Sequence, residues 1–170
     1  MVKLAAFNRQ TINVHRAPVQ LVTMLLTRED GYLLDDDKDR LDVTRVHGWL
    51  SKDAYWALGR ELSRVELSIA ASDAYGIYDA ERKQVGFCRV VTDQSTFAYL
   101  CDVYIDPDHR GRGLGKWLVQ NVRDVYADAG LRRFVLATSD AHEVYRAVGF
   151  TPLSKPDHWM ELVFNSPRAA

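Results

Sequence analysis

Apolar positions along the chain follow two periods. From Leu114 they recur at helical spacing through Leu118, Val122, Val125 and Ala129, which predicts a helix over 114–129. Apolar runs at 74–78, 84–92 and 97–105, separated by turn-like segments at 79–83 and 93–96, predict strands joined as hairpins. Ahead of them, Tyr32-Leu33-Leu34 reads as a short strand before the acidic loop 35–39. Val43, Val46, His47 and Leu50 form one face of a helix that starts near Asp42 and breaks at Ser51-Lys52-Asp53. Ser63 and Glu66 have capping-box spacing and open a second helix over 64–72. Behind the 114–129 helix, 134–137 reads as a short buried strand. Asp140 and Glu143 offer a capping box for a helix that Gly149 ends, and 150–151 and 158–164 supply the last strands. The fold class is therefore α/β: a single-domain mixed, mostly antiparallel sheet with helices on both faces, with no internal repeat or linker dividing it.

Composition narrows the function classes. With 170 residues, 47% hydrophobic and 26% charged, the chain is ordinary for one globular domain with its own core. A net charge of -1 provides no long-range attraction to nucleic acid, so nucleic acid is not an expected partner. No apolar run is long enough for a membrane helix, and neither a membrane nor a metal is expected, since no His or Cys stands at ligand spacing. His47, His142 and His158 are isolated, and His47 reads as packed or capped. The two cysteines fall in predicted strands. A turn at Gln94-Ser95 sets Cys88 opposite Cys101, which admits a cross-strand disulfide or, in a cytoplasmic protein, two buried thiols. Residues 1–28 are basic and lack acids, an echo of a transit peptide, but they also lack serine and an amphipathic stripe. Within them 19–26 reads as an edge strand, unless Met24 is the true start.

The stretch from Tyr99 to Trp117, YLCDVYIDPDHRGRGLGKW, carries the densest chemical signal. Pro107 ends a strand. Gly111, Gly113 and Gly115 let the backbone turn with its N–H groups outward, and a helix begins at Leu114. Loop amides, the helix dipole and the cations Arg110, Arg112 and Lys116 converge on one spot, which suits a phosphate. A Walker loop is excluded, because the positions of its first glycine and its hydroxyl residue hold Arg110 and Trp117. The dinucleotide fingerprint fails on glycine spacing.

What remains, Arg110-x-x-Gly113-x-Gly115 after a strand, resembles the pyrophosphate loop of the GNAT superfamily of N-acetyltransferases, which use acetyl-coenzyme A. A second mark is Ala141-x-x-x-Tyr145-x-x-x-Gly149-Phe150, and the likeness spans roughly 32–163. The resemblance implies an extension over 1–30 and an acetyltransferase domain over 31–170. It also implies direct transfer of an acetyl group from acetyl-CoA to a primary amine of a small molecule or peptide. It leaves a homodimer open, and it leaves open a non-catalytic acyl-CoA-binding module built on the same loop.

The same resemblance assigns residues. The coenzyme would lie on Arg110, Gly111, Arg112, Gly113, Leu114, Gly115 and Lys116, with its pantetheine arm beside Val103, Tyr104 and Ile105. Thr138 stands where relatives often have an asparagine that contacts that arm. A strand N–H around 103–105, freed by a bulge, would bind the carbonyl oxygen. Tyr145 would protonate the departing thiolate, against a rival reading as a core aromatic. Asp102 would act as base or water holder, against a rival reading as the ion-pair partner of Arg89, which would make it a poor base. A base would matter, because presenting a lysine-like amine in neutral form at pH 7 costs about 4.6 kcal/mol. Tyr55 and Trp56 lie where relatives place a wall of the acceptor site, with core packing as the alternative.

Overall fold

The computed structural model describes residues 24–164. The transit-peptide reading, and most of the 19–26 strand, lie outside the described residues. Six strands form one sheet in sequential order: β1 (Leu25–Thr27), β2 (Leu33–Asp35), β3 (Asp73–Tyr78), β4 (Gln84–Thr92), β5 (Phe97–Ile105) and β6 (Arg133–Val135). Each neighbouring pair is antiparallel except β5 and β6, which are parallel. Four helices complete the fold: α1 (Val43–Lys52), α2 (Leu62–Ala70), α3 (Leu114–Asp128) and α4 (His142–Arg146).

The sheet separates two apolar layers. Val46 and Leu50 of α1 and Val65 and Ile69 of α2 pack with Phe87 and Tyr104 on one face. On the other, Leu114, Leu118, Val119 and Val122 of α3 pack with Cys88, Val90, Ala98 and Leu100. Side chains of helix α3 and of the sheet therefore share one core, which holds the amino end of α3 against β5. The helix stripe differs from the expected one: Val119 and Tyr126 are buried, whereas Val125 is 40% exposed and Ala129 is exposed at the cap. Tyr126 takes the inner place because its hydroxyl donates to Asp73 at 2.7 Å and meets Tyr75 at 3.2 Å.

Several boundaries differ from expectation, each for a local reason. The sheet starts at Leu25, ahead of residue 31, because β1 pairs with β2. The Ser63/Glu66 capping box does not form; α2 starts at Leu62 with Glu61 at the cap position and no side-chain cap. Asp140 does not cap α4 either, since the hydroxyl of Thr138 accepts from the Ala141 N–H at 3.1 Å instead. Gly149, at φ +95°, ends the α4 turn as its sequence position implies. Residues 150–151 and 158–164 form no strand; Pro156 opens a short 3-10 turn at Pro156–His158, and Met160 through Phe164 are exposed.

The largest correction is the β4–β5 register. Arg89, not Cys88, faces Cys101, and between Phe87–Tyr104 and Arg89–Cys101 β5 carries one residue more than β4. That extra residue is a bulge, with Asp102 at φ +53°. It reverses the alternation along β5. Ala98 and Leu100 before it face the α3 layer, whereas Tyr104 after it faces the α1/α2 layer. Cys88 is buried on the α3 side while Cys101 lines the cleft described below, so both thiols are free and no disulfide joins them.

Candidate active site

β6 pairs with β5 only from Phe97 to Tyr99. After Tyr99 the two strands part, and among the described residues no strand pairs with 100–105 on that side. The gap opens into a cleft of about 790 Å³ lined by the second half of β5, the α1–α2 loop, the β6–α4 loop and Tyr145. The expected bulge is thus present, and Val103, Tyr104 and Ile105 all line the cleft.

At one end the chain leaves β5 through a 3-10 turn at Pro107–His109 and enters α3 through glycines with positive φ at 111 (+75°) and 113 (+74°). A side chain at either position would be strained, and open space lies beside both. Among the described residues, none of the N–H groups of 111–116 donates to a protein acceptor. These are the free donors of a helix start, with the positive end of the α3 dipole behind them. Arg112 and Lys116 are exposed alongside. Free amides and two cations in a cradle of glycines fit a pyrophosphate. Arg110 is the exception among the predicted cations. Its Nε donates to the Ile105 carbonyl at 2.9 Å, it pairs with Asp53 at 3.3 Å, and it lies over the Tyr104 ring. Tyr104 in turn stacks on Trp49 and donates to Asp53 at 2.5 Å, so it braces the wall.

At the other end stands Asp102. Its side chain is 2% exposed and accepts from Arg89 Nε at 2.6 Å, Arg60 at 2.7 Å and Trp56 Nε1 at 3.1 Å. Burial pushes its pKa up, but the guanidiniums of Arg60 and Arg89 outweigh that and hold it below the usual carboxylate range. The expected pairing with Arg89 is present, and it extends to a second arginine. His47 supports the same region, with Nε2 at 3.1 Å from the Arg60 carbonyl oxygen.

Tyr55 and Trp56 are exposed on the α1–α2 loop and meet edge to face. They are cleft walls rather than core. Tyr55 also spans the opening: its hydroxyl accepts from the Ser139 N–H at 3.2 Å, contacts the Ser139 hydroxyl at 2.5 Å and reaches Asp140 at 3.4 Å. Tyr145 packs edge-on against Phe150, and among the described residues no side-chain or backbone group hydrogen-bonds its hydroxyl. Burial pushes its pKa up to about 12, so at neutral pH it stays protonated and can donate. Cys101 also lines the cleft. Burial raises its thiol to about 11, which leaves little thiolate at neutral pH.

Sequence reasoning placed Asp102, Tyr145, Tyr55, Trp56, Thr138 and the 103–105 strand around this one cleft. It missed Asp53, Arg60, Ser139 and Asp140. These lie on two loops with no periodicity, and only their contacts across the cleft single them out.

Comparison with known proteins agrees with this geometry. The model of the acetyltransferase (GNAT) family matches residues 43–150, which include the bulged strand, the glycine loop and the tyrosine helix. The chain belongs to that family, whose members use acetyl-CoA as cosubstrate, and it is an acyltransferase. A presumed acetyltransferase of Gibberella zeae is 33% identical over 70% of this chain and 77% of its own length. The thialysine N-epsilon-acetyltransferase of Sus scrofa is 33% identical over 39% of this chain, which spans 41% of that enzyme's length. A crystal structure of a presumed GNAT acetyltransferase from Xanthomonas campestris pv. campestris superposes with a TM-score of 0.76 at 40% identity, covering 82% of this chain and 97% of that one.

Proposed function

We propose that the protein transfers the acetyl group of acetyl-CoA to a primary amine of a small molecule or peptide by direct attack. The observation that carries the reading is a cleft lined by the edge of β5 after Tyr99 and by Tyr145, reached at Arg110 by the loop whose following amides, 111–116, are unpaired. Bound there, acetyl-CoA supplies an activated acyl carbon. The 111–116 amides with Arg112 and Lys116 hold the pyrophosphate, and the edge of β5 at 103–105 aligns the pantetheine arm. A backbone N–H on that edge donates to the carbonyl oxygen as it gains charge.

The amine nitrogen forms the new C–N bond as the C–S bond breaks. Its proton leaves through water, because Asp102 is made a weak base by two guanidiniums and the Trp56 N–H, and Asp53 is held by Tyr104 and Arg110. Tyr145 donates its hydroxyl proton to the departing sulfur and regains one from the water that receives the amine's. An acyl-enzyme on Cys101 is disfavoured by its raised pKa, which supports direct transfer. The pig relative's acceptor, thialysine, carries a primary amine of the required kind.

The test is release of coenzyme A thiol from acetyl-CoA in the presence of an amine panel, with acetylated products identified by mass. Release that depends on an amine supports the reading. Tight acetyl-CoA binding with no release from any amine would make the protein a binding module instead.

A further inference from the structure

We infer that Arg60 and Arg89 form an anion-reading wall of the cleft, so that the acceptor carries a carboxylate or phosphate in addition to the amine it presents. The inference rests on the acetyl-transfer reading above and specifies the class of its acceptor. Its starting point is a charge imbalance. Two guanidiniums contact the same oxygen of Asp102, at 2.6 and 2.7 Å, and among the described residues neither has another acidic partner. One arginine would neutralise the buried carboxylate. The second leaves one positive charge in excess on that wall.

The excess is placed where a ligand can meet it. Arg60 and Arg89 both line the cleft, with side chains only 22% and 15% exposed, so water screens them incompletely. Arg89 gives Nε to Asp102 and one terminal nitrogen to Ser72, and Arg60 gives one terminal nitrogen to Asp102. Each guanidinium has five N–H donors, so both retain donors for an oxyanion, in the planar geometry that suits carboxylate or phosphate.

The other charges of the cleft sharpen the choice. Asp53 and Arg110 neutralise each other. Asp140, on the opposite wall, meets only the hydroxyls of Tyr55 and Thr138. The cleft is thus positive on the Asp102 side and negative on the Asp140 side. A zwitterion complements both walls, and its methylene stem can lie along Tyr55 and Trp56. A polyamine, cationic throughout, would have to place charge against the two arginines.

Matched pairs isolate the anion. Lysine differs from cadaverine only by its carboxylate, and O-phosphoethanolamine differs from ethanolamine only by its phosphate. Calorimetric titration of the full chain with each compound, with coenzyme A present, is expected to show at least tenfold tighter binding of the anionic member in one pair, and that pair identifies the group as carboxylate or phosphate. Arg60→Gln should bring the ratio close to one, and Arg60→Lys, which keeps the charge, should retain part of it. Should Arg60→Gln not fold, salt decides: the preference in the parent must shrink as sodium chloride is raised. Equal or weaker binding of the anionic member in both pairs, a ratio unchanged by Arg60→Gln, or a salt-independent ratio would each overturn the inference. Failure of acetyl transfer shows up separately, as absence of thiol release, and leaves these binding ratios measurable.

Discussion

At the proposed coenzyme end, next to the cleft, the available donors are backbone amides of one continuous stretch, 111–116. At the proposed acceptor end they are side chains of Trp56, Arg60 and Arg89, gathered around Asp102 from one loop and strand β4. The first end is preorganised by glycine conformation and a helix start, the second by a buried ion cluster. Substitutions should therefore separate the two. Damage to the cluster should appear as lost stability and altered acceptor choice, and damage to the loop as lost coenzyme affinity.

The largest expected effect is at the cluster. Asp102→Ala leaves two guanidiniums facing each other without their shared carboxylate, and breaking such a buried pair costs roughly 3–5 kcal/mol, or on the order of 10 °C in melting temperature for a chain of this size. Coenzyme affinity in the folded variant should survive. The loss should depend on pH. Because the folded-state pKa of Asp102 is depressed, its contribution to stability is fully present above the unfolded value of about 3.9 and disappears as pH falls through the folded value. Parent and variant should thus differ most near neutrality and converge in strong acid, as chemical denaturation at several pH values would show. A full-strength variant would mean that the cluster contributes nothing to the fold.

Tyr145→Phe removes one hydroxyl between the two ends. Turnover should fall about 10²-fold with folding and coenzyme affinity intact. A rate within a few-fold of the parent on a good acceptor would return Tyr145 to the core. At the loop, Gly113→Val forces a branched side chain into positive φ, and Arg112→Glu sets a carboxylate beside the anion site. Each should weaken coenzyme binding by about tenfold, or 1.4 kcal/mol. Calorimetry showing parent affinity in both would contradict the assignment of the loop. The smallest effect is expected at Arg28, whose guanidinium donates to the Arg112 carbonyl at 3.0 Å and lies over the Tyr32 and Trp117 rings. Arg28→Ala should cost about 1 kcal/mol of stability, with a small loss of coenzyme affinity.

The same contrast explains what the sequence made legible. The loop is written in consecutive residues, so glycine spacing, Pro107 and the following helical period identify it without tertiary information. Strands β4 and β5 were legible to the residue for the same reason, since both carry long apolar runs bounded by turns. Their register was not. The turn sets Thr92 opposite Ala98 and hence Arg89 opposite Cys101, one step from the register of a turn centred on Gln94-Ser95, and the extra residue of β5 beyond Cys101 then decides which face Tyr104 occupies. The acceptor end was legible only in part, because Arg60 and Asp102 lie 42 residues apart and neither belongs to a motif that names the other. The capping boxes failed for a simpler reason: Ala141 and Glu61 hold the cap positions, and spacing alone does not rank competitors.

The parting of β5 from β6 after Tyr99 has a consequence for handling the protein. A strand edge with unpaired N–H and C=O groups is a template for another chain, and such edges invite association unless something covers them. Here the groups that would receive the pantetheine arm are the same ones a stray strand could use. Coenzyme A should therefore act as a solubiliser as well as a ligand, and protein purified with it should stay monodisperse on heating longer than protein purified without it.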